Sequence, residues 1–196
     1  RRMIRPPWQD VLDFWFLPPD DPGYLKPRHV WFQKNPDFDA EIERRFLPRV
    51  EQAVAGGLRE WKRELGGALA RIVLLDQFPR NVWRGTPRAF AGDPQALADA
   101  LELIDSGRYL QLPPVQREFV YLPLMHSENP GIQERCVALY TTLAQEHPAS
   151  QNSLDFAIRH RDIVERFGRF PHRNATLGRA STGQELEFLK QPGSGF

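Results

Sequence analysis

Apolar residues recur along this chain at helical spacing almost from end to end. Trp8, Val11, Leu12, Trp15 and Phe16 fall three and four apart and stop at Leu17-Pro18-Pro19, which predicts a first helix ended by the proline pair. Asn35 before Pro36 combines an N-cap side chain with a proline at the first helical position. From there Phe38, Ile42, Phe46, Val50 and Val54 form one stripe, closed by Gly56-Gly57. Leu58, Trp61, Leu65, Leu69, Ile72 and Val73 carry the same period to Leu75, with Gly66-Gly67 as a weak point or break. Asp93-Pro94 caps a helix bearing Leu97, Leu101 and Ile104 that ends at Gly107; Pro114 and Pro130-Gly131 open two more, and 150–167 forms another. Thr182-x-x-Glu185 reads as a capping box before Leu186 and Leu189. No run alternates as a strand would, and no Asn-Gly or Asp-Gly hairpin turn occurs. The expectation is an all-α domain over 1–190, with about seven to nine helices joined by short Pro- and Gly-rich turns, and a disordered tail at 191–196.

The helix at 154–167 carries two apolar stripes. Leu154, Ala157, Ile158, Arg161 and Val164 make one; Phe156, His160, Ile163 and Phe167 make the other. Two stripes predict a helix covered on two sides, with His160 buried. Arg159, Asp162 and Arg166 share the remaining face, where Arg159 and Asp162 are spaced to hold one another.

Composition narrows the function classes. The net charge of the 196 residues is +1, so bulk electrostatics does not point to nucleic acid, though a local basic pocket is compatible with it. The single cysteine, Cys136, excludes a disulfide within the chain and a cysteine-based zinc site; its helical surroundings read as a small buried hydrophobe. No apolar run is long enough for a membrane helix, and the basic start at 1–5 is followed by no apolar stretch, so the expected location is the cytoplasm.

Three segments depart from plain helix grammar. In Leu74-Leu-Asp-Gln-Phe-Pro-Arg-Asn81 an apolar helix runs into Asp76 and Gln77 and breaks at Pro79, followed by Arg80, Asn81 and Arg84. In Phe119-Val-Tyr-Leu-Pro-Leu-Met-His-Ser-Glu128, Pro123 lies inside a helical run, and His126 and Glu128 could converge at its end. In Phe167-Gly-Arg-Phe-Pro-His-Arg-Asn174 a helix stop and a turn present His172, Arg173 and Asn174. Buried charges must be paired, so the simplest arrangement is one pocket where the three segments meet. There Asp76, Arg80, Asn81, Arg84, Arg159, His160, Asp162, Arg173 and Asn174 would bind a ligand, and His126, Glu128 and His172 would do acid–base work.

The segments LLDQFPRNVWRGTPRAFAGD, REFVYLPLMHSE and FAIRHRDIVERFGRFPHRNATLGRAST resemble those of an uncharacterised bacterial family catalogued as domain of unknown function 924, from Val11-Leu-Asp-Phe-Trp15 through Ser181-Thr182. The resemblance implies a fold of stacked antiparallel helices like the tetratricopeptide superhelix. It brings no activity, substrate, cofactor or catalytic residue.

Two function classes emerge. One is a pocket for a small anionic molecule, clamped bidentately by arginine, with His126 or His172 as general acid or base and Glu128 or Asp162 orienting an imidazole. The other is a peptide-binding module of the tetratricopeptide type, which needs an open groove rather than a closed pocket. Metal ligation is disfavoured: no H-E-x-x-H spacing appears, and arginines would repel a cation. The cofactor and the oligomeric state are unknown at this level.

Overall fold

The computed structural model describes residues 3–196; the basic start at Arg1 and Arg2 lies outside them. Ten α-helical segments succeed one another: α1 (Gln9–Phe16), α2 (Pro36–Val54), α3 (Leu65–Ile72), α4 (Phe78–Val82), α5 (Asp93–Asp105), α6 (Pro114–Met125), α7 (Pro130–Glu146), α8 (Gln151–Phe167), α9 (Asn174–Leu177) and α10 (Gly183–Leu189). A π-helical stretch, Val73–Gln77, joins α3 to α4 without interruption, so the described residues hold nine separate helical rods and no strand. The all-α expectation holds.

Caps follow the sequence closely, with instructive exceptions. Asn35 accepts the amide of Phe38 at 3.0 Å and Asn129 that of Ile132 at 3.1 Å. Both halves of the capping box at Thr182 and Glu185 are formed. The cap of α5 is Gly92, not Asp93; Asp93 is the first helical residue, and its carboxylate goes to Arg80 instead. The helix does not break at Pro79. The amide of Phe78 reaches back to the carbonyl of Val73, a wider turn that shifts the ladder just before the proline. Nor do Gly66 and Gly67 interrupt a helix. The 3₁₀ turn Arg59–Arg63 precedes α3, and the glycines lie in its first turn, where a Cβ on Gly67 would stand 2.1 Å from the carbonyl oxygen of Trp61.

The chain divides into two compact units, one from the residues up to Arg84 together with Arg88–Pro123, the other from Gly85–Pro87 and Leu124–Phe196. The division falls inside α6, within the span expected as one domain. The first unit packs α1 on α3, α2 on α4 and α3 on α5. Its core is an aromatic cluster around Trp15, whose ring lies 5.6 Å from both Phe78 and Phe119. Arg71 is buried in this unit: it pairs with Asp99 and donates to Gln95 at 3.0 Å and to the carbonyl of Gly57 at 3.1 Å.

In the second unit α7 and α8 pack along one another. Cys136 is fully buried, and burial pushes its thiol up, as fits an inert core residue. Ile163, Val164 and Phe170 form a core cluster with Phe167 and Phe188 against it. Residues 191–196, expected to be disordered, lie here as a turn beside α8: Ser194 Oγ donates to the carbonyl of Leu189 at 3.1 Å, and Arg159 to that of Gly193 at 3.1 Å.

Candidate functional site

Four of the expected site residues belong to the first unit. Asp76 sits fully buried in the π turn, where Gln77 Nε2 donates to its carboxylate at 2.7 Å and Arg80 Nη1 lies 3.7 Å away. Arg80 donates to the carbonyl of Asp76 at 2.8 Å and grips Asp93 with both arms, at 2.6 and 3.0 Å. Asn81 donates to Asp39 at 2.9 Å, and Arg84 closes on the same carboxylate at 2.9 and 3.0 Å. These bonds tie α4 to α2 and α5. Asp39 and Asp93, which take the arginine charges, sit at the first turns of their helices, where a carboxylate is also favoured by the helix dipole.

The other eight belong to the second unit, and four of them, Glu128, His160, His172 and Arg173, meet Phe170, itself fully buried. The gathering starts at the end of α6. Gln133, buried on α7, donates to the carbonyls of Met125 at 2.7 Å and Ser127 at 2.6 Å, holding the turn His126–Glu128 in place. From that turn Glu128 accepts the amide of Phe170 at 2.6 Å, and Arg179 in a forked pair at 2.9 and 3.1 Å. Burial alone would raise this carboxylate; the Arg179 bonds, the Phe170 amide and the nearby Arg173 charge hold it below its ordinary value. Arg173 donates to the carbonyl of His126 at 3.0 Å and lies 4.6 Å over the Phe170 ring, and its charge also acts on the Glu128 carboxylate. Arg173 is buried, as is Asn174, which donates to Ser181 at 3.1 Å and Glu185 at 3.3 Å.

His160 and His172 face Phe170 with ring centroids 5.4 and 5.6 Å from it. Nδ1 of His160 lies 2.7 Å from the carbonyl of Phe156, so that nitrogen is assigned the proton and Nε2 is left bare. Burial first, then His126, His172 and Arg173, push His160 down to about 3, against the pull of the Phe156 carbonyl. Burial first, then Arg173, with His126 and Arg179 adding and Glu128 opposing, push His172 down to about 4. Both imidazoles are therefore uncharged at neutral pH, and Nδ1 of His172 is buried with no hydrogen-bond partner.

Arg159 and Asp162 do not pair with each other. Arg159 turns to the 193 carbonyl, and Asp162 is taken by Arg161 at 3.1 Å. Both line a cleft of about 230 Å³ between α8, Phe188 and residues 192–194. Among the described residues no group of three or more His, Cys, Asp and Glu is placed to hold a metal ion, and no helix is long and apolar enough to cross a membrane.

Sequence reasoning missed Arg179, Arg169 and Glu185. Arg169 forks onto Glu185 at 2.9 and 2.7 Å; that pairing first, with the Thr182 amide and Asn174 adding and burial opposing, holds Glu185 down to about 2. The signal was present: between Phe167 and Glu185 stand Arg169, Arg173 and Arg179 and no acidic residue, so these arginines must draw their carboxylates from outside that stretch.

The solved structure of a protein of unknown function from Agrobacterium tumefaciens matches at 38% identity and a TM-score of 0.80, over 93% of this chain and 96% of that one. Among curated proteins none matches. The family described as "Bacterial protein of unknown function (DUF924)" matches residues 11–193, which include all three segments singled out by their broken helix grammar, and the chain belongs to that family.

Proposed function

We propose that the second unit binds a small anion at the imidazole cluster of His126, His160 and His172, and that His172 carries the proton that binding brings. The observation that supports this most is His172 itself: its Nδ1 is buried with no partner, in a field that Arg173 and Arg179 make positive. A buried imidazole nitrogen without a partner is costly unless a ligand completes it. A carboxylate or phosphate oxygen there supplies the missing acceptor and offsets the guanidinium charges. Burial keeps His172 neutral first and the guanidinium charges second; with those charges offset its pKa rises, and the proton gained is available to a reacting oxygen on the ligand. Glu128 acts by position: it holds Arg179 and the Phe170 amide, so the loop stays fixed around the imidazoles. In the first unit Arg80 pairs with Asp93, and Asn81 and Arg84 with Asp39.

The test is a calorimetric titration with inorganic phosphate and with acetate between about pH 5 and 7, where histidine changes charge, beside an NMR titration of the imidazoles. The expected result is binding that strengthens as pH falls, an upward shift of the His172 pKa when phosphate is present, and loss of both in His172→Ala. Absence of binding by either anion, or a His172 pKa that ignores phosphate, overturns the reading.

A further inference from the structure

Phe196 stands against the same cluster. Its ring stacks on His160 with centroids 3.7 Å apart and planes 23° from parallel. His172 meets it edge-on at 5.6 Å and Phe156 at 6.3 Å, while the Arg159 guanidinium lies 5.2 Å from its centre. One flat ring is thus met by an imidazole face, two aromatic edges and a cation, the surroundings that the quadrupole of an aromatic ring favours. Yet Phe196 remains 47% exposed. The segment that carries it is tied down through Arg159 to the 193 carbonyl and Ser194 to the 189 carbonyl, and it contains Gly193 and Gly195. The box is built from α8 and the 171–173 turn; its occupant is a half-exposed side chain on a glycine-containing strap.

We propose that this box is an aromatic subsite beside the anion site, that Phe196 is its internal occupant, and that the ligand is a small aromatic anion whose ring displaces Phe196 from His160. The inference rests on the anion reading above and names its substrate class. His172 joins the two halves: its ring edge touches the box, and its unpartnered Nδ1 belongs to the anion site. The ring stacked on His160 has its centroid 5.6 Å from that of His172, within reach of a carboxylate or phosphate one or two bonds from an aromatic ring. Stacking on a neutral imidazole suits an aromatic ring better than a saturated one, because both faces are flat and polarisable. The strap then acts as a competitor, and the ligand's apparent affinity falls by the fraction of molecules in which Phe196 is seated.

The experiment compares phenyl phosphate with inorganic phosphate, and benzoate with cyclohexanecarboxylate, on the full chain and on Phe196→Ala. Phenyl phosphate is expected to bind the parent at least about threefold tighter than inorganic phosphate, and benzoate tighter than its saturated analogue. Phe196→Ala should tighten the aromatic ligands a further severalfold and leave inorganic phosphate unchanged. In the NMR spectrum the His160 ring protons should lose the ring-current shift of Phe196 in the variant and regain one on adding phenyl phosphate. If inorganic phosphate binds but phenyl phosphate binds no better, the aromatic subsite is wrong and the anion site stands. If Phe196→Ala weakens the aromatic ligands, Phe196 is a wall of the site and not its competitor. If no anion binds at all, both readings fall together.

Discussion

At the scale of single residues, His160 shows how burial decides chemistry. Its place in an apolar stripe of α8 foretold that it would be inside, and it is 6% exposed. The consequence is electrostatic: the cost of burying an imidazolium, with His126, His172 and Arg173 adding repulsion, pushes it down to about 3. The unfolded chain therefore takes up a proton near pH 6.5 while the folded one does not. The contribution to stability is full above pH 6.5 and is lost as pH falls towards 3, at roughly 1.4 kcal/mol per pH unit for such a group. Between pH 6.5 and 4.5 that amounts to roughly 2–3 kcal/mol from His160. Urea melts at the two pH values should show a clear loss in the parent and a smaller one in His160→Phe, which keeps a flat ring and cannot be protonated. Equal losses in the two proteins would mean that His160 is charged when folded.

At the scale of elements, close approach matters as much as helical period. Gly92 precedes α5 where a Cβ would stand 2.0 Å from the carbonyl oxygen of Leu75 in the π turn, a backbone atom that cannot swing aside. Gly92→Ala should cost about 1–3 kcal/mol by overpacking, seen as a melting temperature lower by about 2–4 °C per kcal/mol; unchanged melting would show that α5 can slide away. This contact also marks the limit of what could be read in advance. The helices were legible because an apolar stripe and its caps lie within one element: Asn35 and Thr182 cap as expected. Pairings between elements were not. The partner of the buried Arg71 is Asp99, 28 residues on, and that of Glu128 is Arg179, 51 residues on. Such partners are set by how rods pack, which no local pattern encodes. Pro79 misled for a related reason: its helix-breaking tendency is local, but the π turn before it absorbs the missing bond. At the candidate site the residue types were legible and their orientations were not. His160 and His172 face Phe170, Arg173 lies over the same ring and donates to the His126 carbonyl, and Asn174 donates to Ser181.

At the scale of the whole molecule, these local shifts add up to a pattern of acid sensitivity. The net charge of +1 turns strongly positive as carboxylates protonate, because 26 basic residues then face few anions. Two sets of groups titrate differently in the folded and unfolded chain. The imidazoles His160 and His172 are held at about 3 and about 4, so their contribution is lost as pH falls from 6.5 through that range. Glu128, Glu185 and Asp10 are held below their ordinary values, against the cost of burial, by Arg179, Arg169 and Arg49 respectively. Their contribution is present above the unfolded carboxylate range near pH 4 and is lost as pH falls through the folded values. Acid should therefore weaken the protein in two overlapping stages, imidazoles first and carboxylates below. The stages can be separated with Glu128→Gln, which keeps an acceptor for the Phe170 amide but loses the charge that pairs with Arg179. At pH 7 this variant should be less stable than the parent by about 1–3 kcal/mol, the usual cost of breaking a charged hydrogen bond in a half-buried place. At pH 3 the difference should shrink, because the parent carboxylate is itself being neutralised as it unfolds. Between pH 6.5 and 5 both proteins should lose stability at the same rate, since the imidazoles govern that range. A difference between them that stays constant from pH 7 to pH 3 would show that Glu128 holds the turn through its shape alone and that its charge does not contribute.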